Sequence, residues 1–184
     1  MKPLLSIVIP TKNRQKYAFS TIKSILSITH SSLELVVHDN SDSNNLEKKL
    51  SEFIKDSRLV YRYNNSPLST IHNFDYAMQF VNGEYVCFIG DDDGINPEIM
   101  RIIEWANKND LDAIVPSNPV TYSWPSSKNS GELNIYPFTG KVSKVDVGKN
   151  LNIFLNSGAV YYLNYGLPKA YHGIVKKECF DQVY

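Results

Sequence analysis

An α/β fold, with a mostly parallel sheet flanked by helices, is predicted by three observations. Strand-length runs of aliphatic, β-branched and aromatic residues alternate with helix-length amphipathic segments over the first 115 positions. Polar and acidic residues gather where three of those runs stop. The chain's 184 residues, 42% hydrophobic and balanced at 19 basic and 19 acidic side chains, suffice for one globular domain with a full-sized core.

The first strand is expected over residues 4–9, where an apolar run ends at Pro10 and Thr11. The same run follows Lys2 in the manner of a brief signal-peptide core. TKNRQ comes next, however, without a small-residue cleavage pattern, so a strand is the better reading. Residues 15–28 place Phe19, Ile22, Ile25 and Leu26 near one face, as an amphipathic crossover helix requires. A second strand is expected over 33–37 and a helix over 46–54. A strand at 59–63 and a helix at 69–81 follow.

Residues 85–89, YVCFI, are too short for a typical helix and lie between Gly83 and Gly90, which marks a buried strand. Asp91, Asp92 and Asp93 come directly after it. Asn96, Pro97 and Glu98 then supply an N-cap, a first-turn proline and an early acid for a helix over 97–107. A further strand is expected at 113–115. Strands alternating with helices of this length imply a parallel sheet covered on both faces.

From residue 116 the character changes to Pro, Ser, Asn and aromatic residues, with a loop at 125–131. A helix over 145–155 and a returning strand over 169–175 are expected beyond it. The division reads as an α/β half over 1–115 and a partial, less regular region over 116–184 of the same domain. Tyr184 follows closely on a strand and helix start, which reads as a truncated fragment. No internal repeat or low-complexity tract is present.

Zero net charge argues against a nucleic-acid binder dominated by phosphate neutralisation. Two cysteines without metal-ligand spacing suggest reduced thiols and a cytosolic setting. No apolar run approaches bilayer-spanning length.

Three strand ends carry polar residues able to converge: Pro10-Thr11, Asp39-Asn40-Ser41-Asp42, and Asp91 to Asp93. In open α/β sheets that edge is where ligands bind. Adjacent carboxylates repel, and hard oxygen ligands suit Mg2+ or Mn2+, ions that also bridge phosphates. The alternative for the aspartates is a solvated loop favouring the following helix dipole. For Asp39 it is an Asx turn or cap. The first loop, PTKNR, lacks both the dinucleotide-binding glycines and the P-loop pattern, which counts against a dehydrogenase and against a nucleotidyltransferase.

LSIVIPTKNR, VVHDNSDS and GEYVCFIGDDDGINPE, in this order and spacing, resemble the inverting family 2 glycosyltransferases with the GT-A fold. The resemblance implies a metal-dependent enzyme, hexosyltransferase-like, moving a sugar from a nucleotide-diphosphate donor, UDP above all, to a saccharide or lipid-linked acceptor. Bacterial surface polysaccharide synthesis is the implied setting, at the inner membrane face if segments outside this sequence dock there.

It further implies Pro10 and Thr11 beside the nucleoside, Asp39 on the base and Asp91 near the ribose. Asp92 is the implied metal ligand, with Asp93 beside the metal or donor sugar. Asn13, Arg14, Asn40, Ser41 and Asn73 fall on the donor side, and Asn73 reads equally as an ordinary helix asparagine. Many relatives have aspartate where this chain has Gly90. His172 is a possible acceptor-side contact, while the general base would lie beyond Tyr184. A donor-binding fragment without activity is the alternative.

Overall fold

The computed structural model describes residues 2–114, 120–122, 133–135, 146, 148–149 and 173–181. The expected loop at 125–131 and His172 lie outside these residues, as do most of the 145–155 helix, of which 148 and 149 are helical, and the first part of the 169–175 strand. The chain divides into two compact units, one formed by Met1–Ile114 with Ala170–Tyr184 and the other by Val115–Lys169.

In the first unit, β1 (Leu5–Thr11), β2 (Leu33–Asp39), β3 (Leu59–Tyr63) and β4 (Tyr85–Phe88) run parallel. β5 (Ala113–Ile114) follows in the chain, and the second unit contributes its own antiparallel pair, β6 (Val120–Tyr122) with β7 (Leu133–Ile135). β8 (Ile174–Lys176) then inserts antiparallel between β4 and β5. The six-strand order is β3-β2-β1-β4-β8-β5. Chain order therefore reverses direction across the sheet between β1 and β4, the kind of switch point at which open α/β sheets bind ligands.

Strands β1, β2 and β4 are almost wholly buried, as parallel strands covered on both faces must be. Their two-residue side-chain period divides the core. Leu5, Ile7 and Ile9, with Leu35, Val37, Tyr85 and Cys87, pack on one side with α1 (Gln15–Leu26) and α4 (Ile99–Lys108). Val8, Val36, Val86 and Phe88 pack on the other with α3 (Thr70–Met78). Each fully buried Ile or Leu contributes about 1.5–3 kcal/mol relative to exposure.

Several boundaries differ from the sequence expectation for identifiable reasons. β1 and β2 each extend two residues further, because Thr11 and Asp39 continue the same parallel register. α2 is confined to Asn45–Lys49 rather than 46–54. Four-residue turns follow, with the Phe53 N–H on Leu50 O at 2.8 Å and the Asp56 N–H on Phe53 O at 2.9 Å. They set the Phe53 ring against Phe19, with centroids 6.2 Å apart. α4 begins at Ile99 because Asn96 closes a turn first, its Oδ1 accepting from the Glu98 N–H at 2.9 Å. α5 (Lys177–Asp181) closes the described chain.

The amino end of the sheet is tied by a buried network. Ser6 Oγ donates to Glu34 Oε2 at 2.5 Å, and the Asn82 N–H and Nδ2 donate to the same carboxylate at 2.9 and 2.8 Å. The Gly83 N–H donates to Ser6 Oγ at 2.8 Å.

Candidate functional site

The carboxyl ends of β1, β2 and β4 bring all three predicted loops together. Thr11, 2% exposed, closes β1 and donates its hydroxyl to Asp91 Oδ2 at 2.6 Å. Asp91 is 7% exposed and accepts Arg14 Nε on its other oxygen at 2.7 Å. An Arg14 Nη binds Asp92 Oδ2, so one guanidinium bridges two neighbouring carboxylates. Arg14 also lies over the Tyr17 ring, 4.9 Å from its centroid.

Burial raises the Asp91 carboxyl above its ordinary range, and the Thr11 hydroxyl and Arg14 charge pull it partly back. Desolvation would lower the Arg14 guanidinium, but Asp91 and Asp92 outweigh it and hold it raised. Asp93 turns back into its own loop, its Oδ2 accepting from the Gly90 N–H at 2.7 Å. Thr21 of α1 clasps this loop, its Oγ1 lying 2.9 Å from Asp91 O and 3.1 Å from Asp93 O.

The first two loops are clipped to each other. Asn13 adopts φ 57°, a left-handed conformation that Asn tolerates better than most residues. Its N–H donates to Ser41 Oγ at 2.8 Å and its Nδ2 to Asp42 Oδ2 at 3.0 Å, while the Asp42 N–H returns a bond to Asn13 Oδ1 at 3.0 Å. Asp39 is fully buried. Its Oδ1 takes the Ser41 N–H at 3.0 Å, the Asx-turn contact, and its Oδ2 the Tyr61 hydroxyl at 2.9 Å. Burial first, and then the Asp39 charge, raise the Tyr61 hydroxyl, which stays protonated as a donor. Asn40 Nδ2 donates to Asn64 O and Ser66 O at 2.5 and 2.7 Å. Pro10 pairs in register with His38 at the same edge.

Asn73 is buried on α3, and its Nδ2 reaches Thr11 O at 3.2 Å. Its Oδ1 lies 2.5 Å from His38 Nδ1. An amide oxygen only accepts, so His38 carries the proton on Nδ1. The imidazole stacks on Tyr76 and Phe80, with centroids 5.8 and 6.4 Å away.

His38, Thr21 and Tyr61 are supporting residues that sequence reasoning missed. His38 had a visible signal, a polar ring inside the apolar run LELVVHD. Thr21 had a weaker one, lying on the face of α1 that holds Ala18, Ile22 and Ile25.

The donor set suits a hard divalent cation, being carboxylate oxygen that already holds one cationic group. Among the described residues no three His, Cys, Asp or Glu side chains converge on a common point. A cation here would therefore rest on one or two carboxylates and on substrate oxygens, which is how Mg2+ is commonly held.

A mostly parallel sheet with hydroxyl and carboxylate side chains crowded at its β1/β4 switch has the layout of a ligand-binding α/β domain. The glycosyl transferase family 2 model matches residues 6–160, and the chain belongs to that family. It is 33% identical over 105 residues to the putative colanic acid biosynthesis glycosyl transferase WcaA of Escherichia coli K12, covering 54% of this chain and 36% of that protein. Another relative is the E. coli UDP-Glc:alpha-D-GlcNAc-diphosphoundecaprenol beta-1,3-glucosyltransferase WfgD. It is 30% identical over 90 residues, covering 49% of this chain and 35% of that protein. The matched stretch thus spans about a third of the length of these relatives.

Among solved structures, residues 1–349 of Staphylococcus aureus TarS superimpose with a TM-score of 0.64 at 17% identity, over 97% of this chain and 48% of that one. A Pyrobaculum calidifontis mannosyltransferase in complex with GDP-Man and Mn2+ gives 0.52 at 16% identity, over 64% and 37% of the two chains. Both likenesses concern the fold.

Proposed function

We propose that this chain is the donor-binding part of an inverting, metal-dependent glycosyltransferase. It takes a uridine-diphosphate sugar and passes a hexosyl group to a saccharide or lipid-linked acceptor in bacterial surface polysaccharide synthesis. The work is done at the cytoplasmic face of the membrane, where such acceptors present their head groups. Among the described residues no helix is long and apolar enough to cross a bilayer.

The observation that carries this reading is the meeting of Thr11, Arg14, Asp91 and Asp92 at the β1/β4 switch of a family 2 domain. The names of relatives support the donor and acceptor: WfgD is named for UDP-Glc and a diphosphoundecaprenol acceptor, and TarS has been solved with UDP-GlcNAc.

Bound Mg2+ or Mn2+ would supply Lewis-acid stabilisation of the charge that develops on the departing diphosphate. Asp92 is its principal carboxylate. Asp91 shares the same cationic partner with it here, whereas Asp93 is drawn back onto the Gly90 amide. Asp91 is thus presented together with Asp92, and Asp93 keeps the place beside the metal or donor sugar that the resemblance implies. Thr11 holds Asp91 in position, and His38 holds Thr11 through Asn73. The first unit is the donor half, with Pro10, Asp39 and the Asn13–Ser41 clip forming the wall against which the nucleoside lies.

The test is a titration of the protein with UDP in Mn2+, repeated with chelator and with Asp92→Ala. Chelation is expected to abolish binding, and the substitution to weaken it at least tenfold. Binding indifferent to both would sink the site.

A further inference from the structure

The acidic loop already holds a cation, and that cation belongs to the protein. Arg14 donates Nε to Asp91 Oδ1 at 2.7 Å and an Nη to Asp92 Oδ2. The remaining Asp91 oxygen is taken by Thr11 at 2.6 Å. The planar fork of a guanidinium can bridge two carboxylates in this way, whereas a lysine ammonium is a point charge.

A divalent ion held by the same carboxylate oxygens would compete with the Arg14 N–H groups for them, and its charge would repel the guanidinium. Arg14 can leave. Its side chain is 45% exposed, against 9% for Asp91, and the adjoining Tyr17 ring offers the guanidinium face a second partner.

We propose that Arg14 is an internal counter-cation that competes with the divalent ion for the Asp91–Asp92 pair. Metal then enters strongly only with a nucleotide diphosphate, whose phosphates receive the displaced guanidinium. The inference rests on the metal and nucleotide reading given above. Its consequence is synergy: by linkage, nucleotide must tighten metal by the same factor that metal tightens nucleotide. Arg14 enlarges this factor beyond what direct contact between metal and phosphate supplies.

The test measures Mn2+ affinity with and without saturating UDP, from the paramagnetic resonance signal of free Mn2+, with a protein-free control for Mn2+ held by UDP itself. Wild type, Arg14→Gln and Arg14→Lys are compared, each checked for a native melting transition. Wild type is expected to bind Mn2+ at least tenfold more tightly when UDP is present. Arg14→Gln should bind Mn2+ alone about tenfold more tightly than wild type and show a correspondingly smaller UDP effect. Arg14→Lys, which keeps the charge but cannot bridge, should fall between. If Arg14→Gln binds Mn2+ alone no more tightly than wild type while wild type still takes up Mn2+ with UDP, the competition is refuted and the site reading stands. If wild type binds neither Mn2+ nor UDP, the site reading fails and takes the competition with it.

Discussion

Replacing Thr11 with valine removes one hydroxyl from a buried bond of the site and changes little else in shape. The bond runs 2.6 Å to a carboxylate oxygen of Asp91, between residues 2% and 7% exposed. Hydrogen bonds to charged groups are worth about 1.5–3 kcal/mol, so Thr11→Val should cost about 2 kcal/mol at neutral pH. For a chain of this size that corresponds to a melting point lower by about 4–8 °C.

The charge on Asp91 makes the argument separable from simple packing. Its pKa is raised in the folded state, chiefly by burial, so its ionisation opposes folding. Stability is therefore highest below the unfolded pKa, where the carboxyl is neutral in both states and no penalty applies, and falls as pH rises through the folded pKa. Asp91→Asn should therefore be at least as stable as wild type at pH 7. In that background the Thr11 hydroxyl meets only a neutral acceptor, and Thr11→Val should cost about 1 kcal/mol. Urea unfolding of the four proteins closes the double-mutant cycle, with an expected coupling of about 1 kcal/mol. Thr11→Val penalties that are equal in both backgrounds, or a Thr11→Val protein within about 0.5 kcal/mol of wild type, would refute the reasoning.

Arg58 donates to Leu26 O at 2.7 Å, at the carboxyl end of α1, and is held there by Asp56, whose pKa its hydrogen bonds lower. Asp56→Asn should cost roughly 1 kcal/mol at pH 7. That cost is present above the ordinary carboxylate range and should vanish as pH falls through the depressed Asp56 value, which paired urea titrations would show. At Gly83 an added Cβ would lie 2.4 Å from Ser6 Oγ and 2.6 Å from the Ser6 backbone nitrogen. Gly83→Ala should therefore lower the urea midpoint by the equivalent of about 2–3 kcal/mol while UDP affinity stays unchanged.

The parallel core and the acidic strand end were legible because they are local patterns. Apolar runs of strand length and a glycine before three aspartates need no knowledge of the rest of the chain. The joining of Arg14 to Asp91 was not legible, since 77 positions separate them and only the strand order puts β1 beside β4. His38, Asn73 and Thr11 form one relay across three elements for the same reason. The antiparallel insertion of β8 between β4 and β5 was equally hidden, because two- and three-residue strands carry too little periodicity to announce a partner. The shortness of α2 follows from the demand that Phe53 reach Phe19, a demand made by packing and not by propensity.

The single hydroxyl of Thr21 faces two carbonyls, those of Asp91 and Asp93, from the middle of α1. Arg14 stands immediately before that same helix. The acid-bearing segment and its basic counterweight are thus mounted on one rod, and any tilt of α1 carries both together. Substitutions on the outer face of the helix, remote from any ligand, would act on the site as a lever acts on its load.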